Sequence, residues 1–414
     1  MKESQSTGQG GWSVVAAGFV CLTVAAGVGF YVFPVFLGSI QEEFGWSLTR
    51  ISVAITLWGF AGAIFSPLCG RWIDSYGTRK VMVLGTLCQF AATILLSQIS
   101  VLWHLYAVMV LSSIGNICNT YVPVAAVIAK WFDERRGTAT GVAMLGLGCG
   151  GFVMPLLANQ LLENYGWRTG YFALSFCVLG LLVPILLWIR EPAQSDTADT
   201  DTDDSAPADQ DTAGDDEADL RLGQAVRTRS FWGVGVGDAI TGLVFAIFTV
   251  QLVFFLTEAG FQRGTATAAF ATFLLCLSLG TALFGGIADR VPLRGLMLFC
   301  YALPAVATVC LFPSGIVALP FVFAFVCGAA GGGRSALFPL ALAHCFGTAH
   351  MGAVYGLSNS LFLIGNSLGP LIGGIIHDQT GSSQGVYVLA IVLFIGSVAL
   401  ISVMRNERTR FPPD

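Results

Sequence analysis

Apolar residues in this chain come in long unbroken runs with no alternation. Runs of membrane-spanning length begin near Trp12, Ile51, Val81, Leu102, Gly137, Trp167, Phe231, Thr265, Gly295, Ile316, Gly352 and Gly385. About 20 apolar residues at 1.5 Å each match the ~30 Å hydrocarbon core of a bilayer. A barrel strand would alternate over about ten residues. With no water in that core, every backbone N–H and C=O needs a partner within its own segment, which a helix supplies. The pattern predicts an all-α membrane protein of twelve transmembrane helices. The polar start "MKESQSTGQGG" precedes an apolar run too long for a signal-peptide core, so the first run is expected to remain as a membrane helix.

One polar stretch interrupts this pattern. Glu191 to Leu220 holds twelve acids and no Lys or Arg. Its low complexity predicts a solvated, disordered linker without a metal site. The expected organisation is an N-terminal six-helix bundle over 1–190, an acidic cytoplasmic linker over 191–229, and a C-terminal six-helix bundle over 230–414. The two halves also repeat, with one constant offset in residue number. Gly70, Asp74, Gly137, Gly141, Pro155 and Gly166 match Gly285, Asp289, Gly352, Gly356, Pro370 and Gly381. Two parallel, pseudo-symmetric repeats of six helices mark a two-lobed carrier with its site between the lobes.

Composition agrees with lipid burial. Hydrophobic residues make up 55% and charged residues 11%, with mean hydropathy +0.75; a soluble domain carries roughly 25% charged residues. The formal charge of −5 becomes +7 once the twelve linker acids are set aside, so the low pI says nothing of the membrane part. Of the twenty Lys and Arg, sixteen fall on the side of both termini and three (Arg50, Arg168, Arg263) on the other. That bias predicts cytoplasmic termini in an inner (plasma) membrane. The twentieth is Arg334, on neither side. The eleven cysteines lack CxxC or metal-ligand spacing and read as small packing residues, so no metal is expected. "GLGCGG", Gly146 to Gly151, lies inside an apolar run with no preceding strand, and reads as helix packing where a nucleotide loop would need that strand. With no catalytic triad or P-loop, neither an enzyme nor an ATP-driven pump is expected, nor a nucleic-acid partner.

The loop after the second run, Gly70-Arg71-Trp72-Ile73-Asp74-Ser75-Tyr76-Gly77-Thr78-Arg79-Lys80, resembles the G-x-x-x-D-x-x-G-R-[KR] loop of the major facilitator superfamily. The resemblance implies the major facilitator fold and a rocker-switch secondary transporter. It also implies that Asp74 and Arg79, and Asp289 in the second half, latch the two lobes on the cytoplasmic side. Gly10-Gly11-Trp12, "KWFDERRGTATGVAMLG" (Lys130 to Gly146) and "GWRTGYF" (Gly166 to Phe172) resemble the monocarboxylate transporter and oxalate/formate branch. That branch implies a small organic anion as substrate. The chain departs from it at Gln9, Val35, Leu277 and Thr281, where animal carriers place an acid, a lysine, and the aspartate and arginine of the eighth helix. "GNSLGPLIGG", Gly365 to Gly374, resembles an antiporter pattern moved to the eleventh helix and reads as packing.

A charge in the bilayer core costs at least roughly 2.5–3.5 kcal/mol and calls for a partner. Two charges stand clear of the helix ends, Arg334 in "GAAGGGRSALFPL" and Asp238 in "VGVGDAITG". Counted from the linker side at 1.5 Å per residue, they lie about 15 Å and 12 Å deep. The expectation is an Asp238–Arg334 pair. Either Arg334 receives an anionic substrate while Asp238 releases it or takes up a proton, or the pair is permanent and fixes helix packing. The glycines before Arg334 are expected to leave room for its side chain and a ligand. Asn116 and Asn119 share a face of the fourth helix, and moving Arg334 back by the offset of the repeat lands on Asn119. Tyr355, Asn359 and Asn366 form one stripe of the eleventh helix; Tyr31 and Gln251 complete the candidate substrate-binding set. For any single Asn, an interhelical hydrogen bond is an equal reading. The expected function is proton symport of a monocarboxylate by a monomer, driven by the proton gradient without a cofactor. The alternatives are efflux of an amphipathic drug or metabolite by antiport, and a transporter-like sensor that binds without translocation.

Overall fold

The computed structural model describes residues 2–132, 136–189, 222–288, 290–312, 315–346 and 351–405. Of the expected linker over 191–229, residues 191–221 lie outside these described residues, as do Asp289 and the side chain of Asp74. Among the described residues, eleven helical runs are long and apolar enough to cross a bilayer. One of them, Ala139–Trp188, has 50 residues. At 1.5 Å per residue it would stretch to about 75 Å, more than twice the hydrocarbon thickness. It breaks at Gly166, whose φ of 79° and ψ of 165° no L side chain adopts without strain. With this break the spans number twelve. They are α1 (Gly11–Phe44), α2 (Leu48–Tyr76), α3 (Thr78–Ser97), α4 (Leu102–Ile128), α5 (136–165), α6 (167–188), α7 (Arg229–Glu258), α8 (Arg263–Ile287), α9 (Leu293–Leu311), α10 (Ala318–Phe346), α11 (Met351–Thr380) and α12 (Ser383–Ile401).

The repeat is visible in the backbone. Gly45 (φ 65°) ends α1 and Gly260 (φ 92°) follows α7; Gly166 (φ 79°) ends α5 and Gly381 (φ 64°) ends α11. Both pairs keep the offset of the sequence repeat. These four turns lie at one end of the molecule, here termed distal; the linker joins the other end.

Apolar helices gain little from meeting one another in lipid, so close approach of small residues has to hold them. The glycines of α5 do this on two faces. A Cβ on Gly146 or Gly150 would run into the α1 backbone at Phe19 and Thr23, and one on Gly148 or Gly151 into Ser278 and Leu274 of α8. On α10, Gly328 and Gly332 abut the α8 backbone at Phe273 and Leu277. Within α1, Leu22–Tyr31 is π-helical, with Val32 N–H bonded to Gly27 O at 3.0 Å. Pro34 follows it and cannot donate to the turn before.

The two six-helix lobes meet at the distal end. Along α2 and α11, Gly374 touches Thr49 and Ser52, and Gly59 touches Ser367. Thr56 Oγ1 donates to Ser367 O at 2.9 Å. Asp378 Oδ1 and Oδ2 accept from Leu48 N–H (3.2 Å) and Thr49 N–H (2.9 Å), which caps the first turn of α2 from the opposite lobe. Between α8 and α1, Arg263 Nη1 donates to Ser39 Oγ at 3.0 Å. Along α5 and α8, Thr267 Oγ1 donates to Asn159 Oδ1 at 3.2 Å. Among the described residues, the contacts given above do not continue to the linker end. There α2 and α11 part around a pocket of about 290 Å³ lined by Phe60, Ala63, Ser66, Ser360, Leu363, Ile364 and Ser367. Gly141 and Gly286 have no neighbour where a Cβ would stand. Among the described residues, the molecule is closed distally and open at its linker end.

Candidate functional site

Asp238 sits on α7 with its side chain 1% exposed, and Arg334 on α10 with its side chain 11% exposed. Arg334 Nη1 donates to Asp238 Oδ1 at 2.6 Å. A third residue joins them: Tyr301 of α9, fully buried, donates its hydroxyl to the same Oδ1 at 2.6 Å. The guanidinium carbon lies 4.5 Å from the centre of the Phe362 ring on α11, a cation–π contact. Nη2 donates to Ser335 Oγ at 3.2 Å, and Nε is buried without a hydrogen-bond partner. Four helices of one lobe thus converge on a single ion pair.

The glycines ahead of Arg334 serve this convergence by close approach. Gly331 abuts Phe245 of α7, Gly332 the α8 backbone, and Gly333 Cys300 and Phe284. The space expected for a ligand is therefore filled by neighbouring helices; beside the pair, the neighbouring Ser335 is exposed. Tyr355 is 37% exposed and packs its ring 6.1 Å from Phe338.

The other candidates are dispersed. Asn116 Nδ2 donates to Ala25 O at 2.8 Å, beside Gln89 Nε2 at 2.7 Å on the same carbonyl of the π-helical stretch. Asn119 Nδ2 donates to Gly115 O (3.1 Å) and its Oδ1 accepts from Thr86 Oγ1 (3.0 Å). Both asparagines are buried inside the first lobe. Gln251 Nε2 donates to Ser52 Oγ (3.0 Å) and Pro370 O (2.8 Å), and so belongs to the distal contact between the lobes. Asn366 Nδ2 reaches Gly242 O at 3.3 Å, tying α11 to α7. Asn359 is half-buried, and Tyr31 is half-buried with its ring 5.3 Å from Phe30. Of the residues expected to latch the lobes, Arg79 donates from Nη2 to Leu186 O at 2.6 Å, binding the last turn of α6 in its own lobe. Arg294, its equivalent in the repeat, does the same for Ser402 O after α12, at 2.6 Å.

Tyr301 is the member of this cluster that sequence reasoning missed. The signal was the repeat. Thr86 and Asn119, moved forward by its offset, land on Tyr301 and Arg334. The first lobe thus holds a neutral Thr–Asn contact where the second holds the buried charge.

Comparisons with known proteins place this geometry in context. The sequence profile described as Major Facilitator Superfamily matches residues 19–315 and 239–413. Monocarboxylate transporter 12 of Rattus norvegicus is 24% identical, with 99% of this chain and 89% of that protein covered. Monocarboxylate transporter 13 of Bos taurus is 27% identical, with 95% and 89% covered. The uncharacterized MFS-type transporter YcxA of Bacillus subtilis is 22% identical, with 90% of each chain covered. Among solved structures, a bacterial homolog of the human lysosomal transporter Spinster, inward-facing and unoccupied, superposes with a TM-score of 0.74 at 19% identity, over 94% of this chain and 96% of that one.

Proposed function

The chain belongs to the Major Facilitator Superfamily, and from that premise we propose that it moves a small organic anion, a monocarboxylate, by alternating access together with a proton. As a member of a transporter family the chain is a multi-pass membrane protein and not an enzyme. The observation that carries the reading is the single guanidinium of Arg334, held by Asp238 among the apolar helices of the second lobe. Several relatives bear the name monocarboxylate transporter, which supports an anionic substrate.

Charge balance supplies the coupling. The Asp238–Arg334 pair is neutral. An anion added to it leaves one uncompensated negative charge, worth roughly 2.5–3.5 kcal/mol or more in the membrane core. A proton taken up by Asp238 restores neutrality, at one proton per anion. Tyr301 and Arg334 both bond Oδ1, so Oδ2 is the oxygen that takes it. The excess of Lys and Arg supports a reading in which both termini and the linker end face the cytoplasm across an inner or plasma membrane; on that reading the described conformation is inward-open. The carrier acts as a monomer, and the proton gradient is its only energy source.

Flux in proteoliposomes tests this. External acid is expected to drive inward accumulation of labelled monocarboxylates. Export of amphipathic compounds with no carboxylate uptake would identify an efflux antiporter. Binding without any flux would identify a sensor.

A further inference from the structure

A guanidinium presents two edges to hydrogen-bonding partners. On Arg334 the outer edge is engaged, since Nη1 is held by Asp238 Oδ1 at 2.6 Å. The side edge, formed by Nε and Nη2, is not. Among the described residues, Nε is buried with no hydrogen-bond partner. Nη2 makes only a long bond of 3.2 Å to Ser335 Oγ, whose own hydroxyl is already satisfied by Gly331 O at 3.1 Å. A buried donor left unpaired costs about 1–3 kcal/mol, more on a charged group, and native interiors seldom tolerate one without a reason. The Nε/Nη2 spacing matches the two oxygens of a carboxylate. Phe362 covers a face of the guanidinium, so a ligand approaches in its plane. The accessible approach is from Ser335, the exposed neighbour.

We propose that the Nε/Nη2 edge of Arg334 is the docking edge for the substrate carboxylate, that Ser335 Oγ is the placeholder it displaces, and that Nη1 stays on Asp238 throughout. The inference rests on the reading of Arg334 as the anion anchor. Under it, Asp238 and Tyr301 are positioning residues: they fix the guanidinium plane so that one edge stays free. The site accepts one carboxylate per arginine, because the outer edge is already taken.

The test uses the purified full-length chain, with thermal stabilisation by acetate, pyruvate, L-lactate and benzoate over graded concentrations, followed by uptake of whichever of the four binds. Arg334→Lys keeps the charge and the pairing with Asp238 but has no fork. It is expected to lower the apparent affinity about tenfold or more; a smaller loss overturns the docking edge while leaving the anchor reading intact. Ser335→Ala removes the competing hydroxyl and is expected to bind as tightly as the unmodified chain or more so. Weaker binding in Ser335→Ala overturns the placeholder role. The anchor reading itself fails if none of the four acids stabilises the unmodified chain. It also fails if Asp238→Asn with Arg334→Gln, which leaves no lone charge to disturb folding, binds them normally.

Discussion

Removing one member of the Asp238–Arg334 pair strands the other charge among apolar helices, at an expected cost of about 3–5 kcal/mol. Arg334→Met or Asp238→Asn alone should therefore lower the thermal-unfolding midpoint strongly. Asp238→Asn combined with Arg334→Gln should recover most of that stability while uptake stays lost. Single variants as stable as the parent would mean that water already solvates the pair. Tyr301→Phe keeps the packing and loses one hydrogen bond to a charged oxygen, worth about 1.5–3 kcal/mol. The two charges were legible in the sequence. A lone arginine between Ile316 and Ala343 needs a counter-charge, and α7 holds one acid at matching depth. Tyr301 was not, because a tyrosine sits in an apolar helix as readily without a partner as with one. Only the equivalence with Thr86 marks it.

The helices that join the lobes keep a constant register. From Gly374 back to Ser367 is seven residues of α11, and their partners on α2 advance by seven, from Thr49 and Ser52 to Thr56 and Gly59. A further seven brings Ser360 opposite Ala63 and Ser66, which now line the open pocket. On the other seam, Thr267 with Asn159 is followed by Leu274 with Gly151 and Ser278 with Gly148. Continuing that series sets Gly285 against Gly141. Both seams therefore extend into small residues already matched for contact. A chain carrying Ala63→Cys and Ser360→Cys is expected to form a disulfide when the linker end closes during turnover, and not in the linker-open state. Gel mobility under oxidation reads this, and no cross-link under any ligand or pH would refute the register. Gly141 and Gly285 could be seen in the sequence as repeated positions. Their apposition could not, because a repeat tells which residues are equivalent and not which are adjacent. The π-helical turn of α1 was also hidden, since its residues suit an α-helix equally well.

For the molecule as a whole, distal closure depends on a few polar contacts, the most exacting being the Asp378 carboxylate on the first turn of α2. A side-chain cap of this kind is worth about 0.5–2 kcal/mol. Asp378→Ala, which removes both acceptors, should thus shift the population toward the distal-open conformation by about two- to thirtyfold. Distances between spin labels at the distal ends of α2 and α11 would report the shift; an unchanged distribution would assign closure to the glycine contacts alone. The twelve spans and the two lobes were legible because apolar length and a fixed offset are properties of the chain itself. The conformation was not, because one sequence specifies both arrangements. The four glycines of α5 turn this difference into a rule for genetics. A bulky residue at Gly146 or Gly150 strikes α1 within its own lobe, so such alleles should be null for want of folded protein. One at Gly148 or Gly151 strikes the opposite lobe, so such alleles should accumulate normally and be suppressed by second-site changes at Ser278 or Leu274.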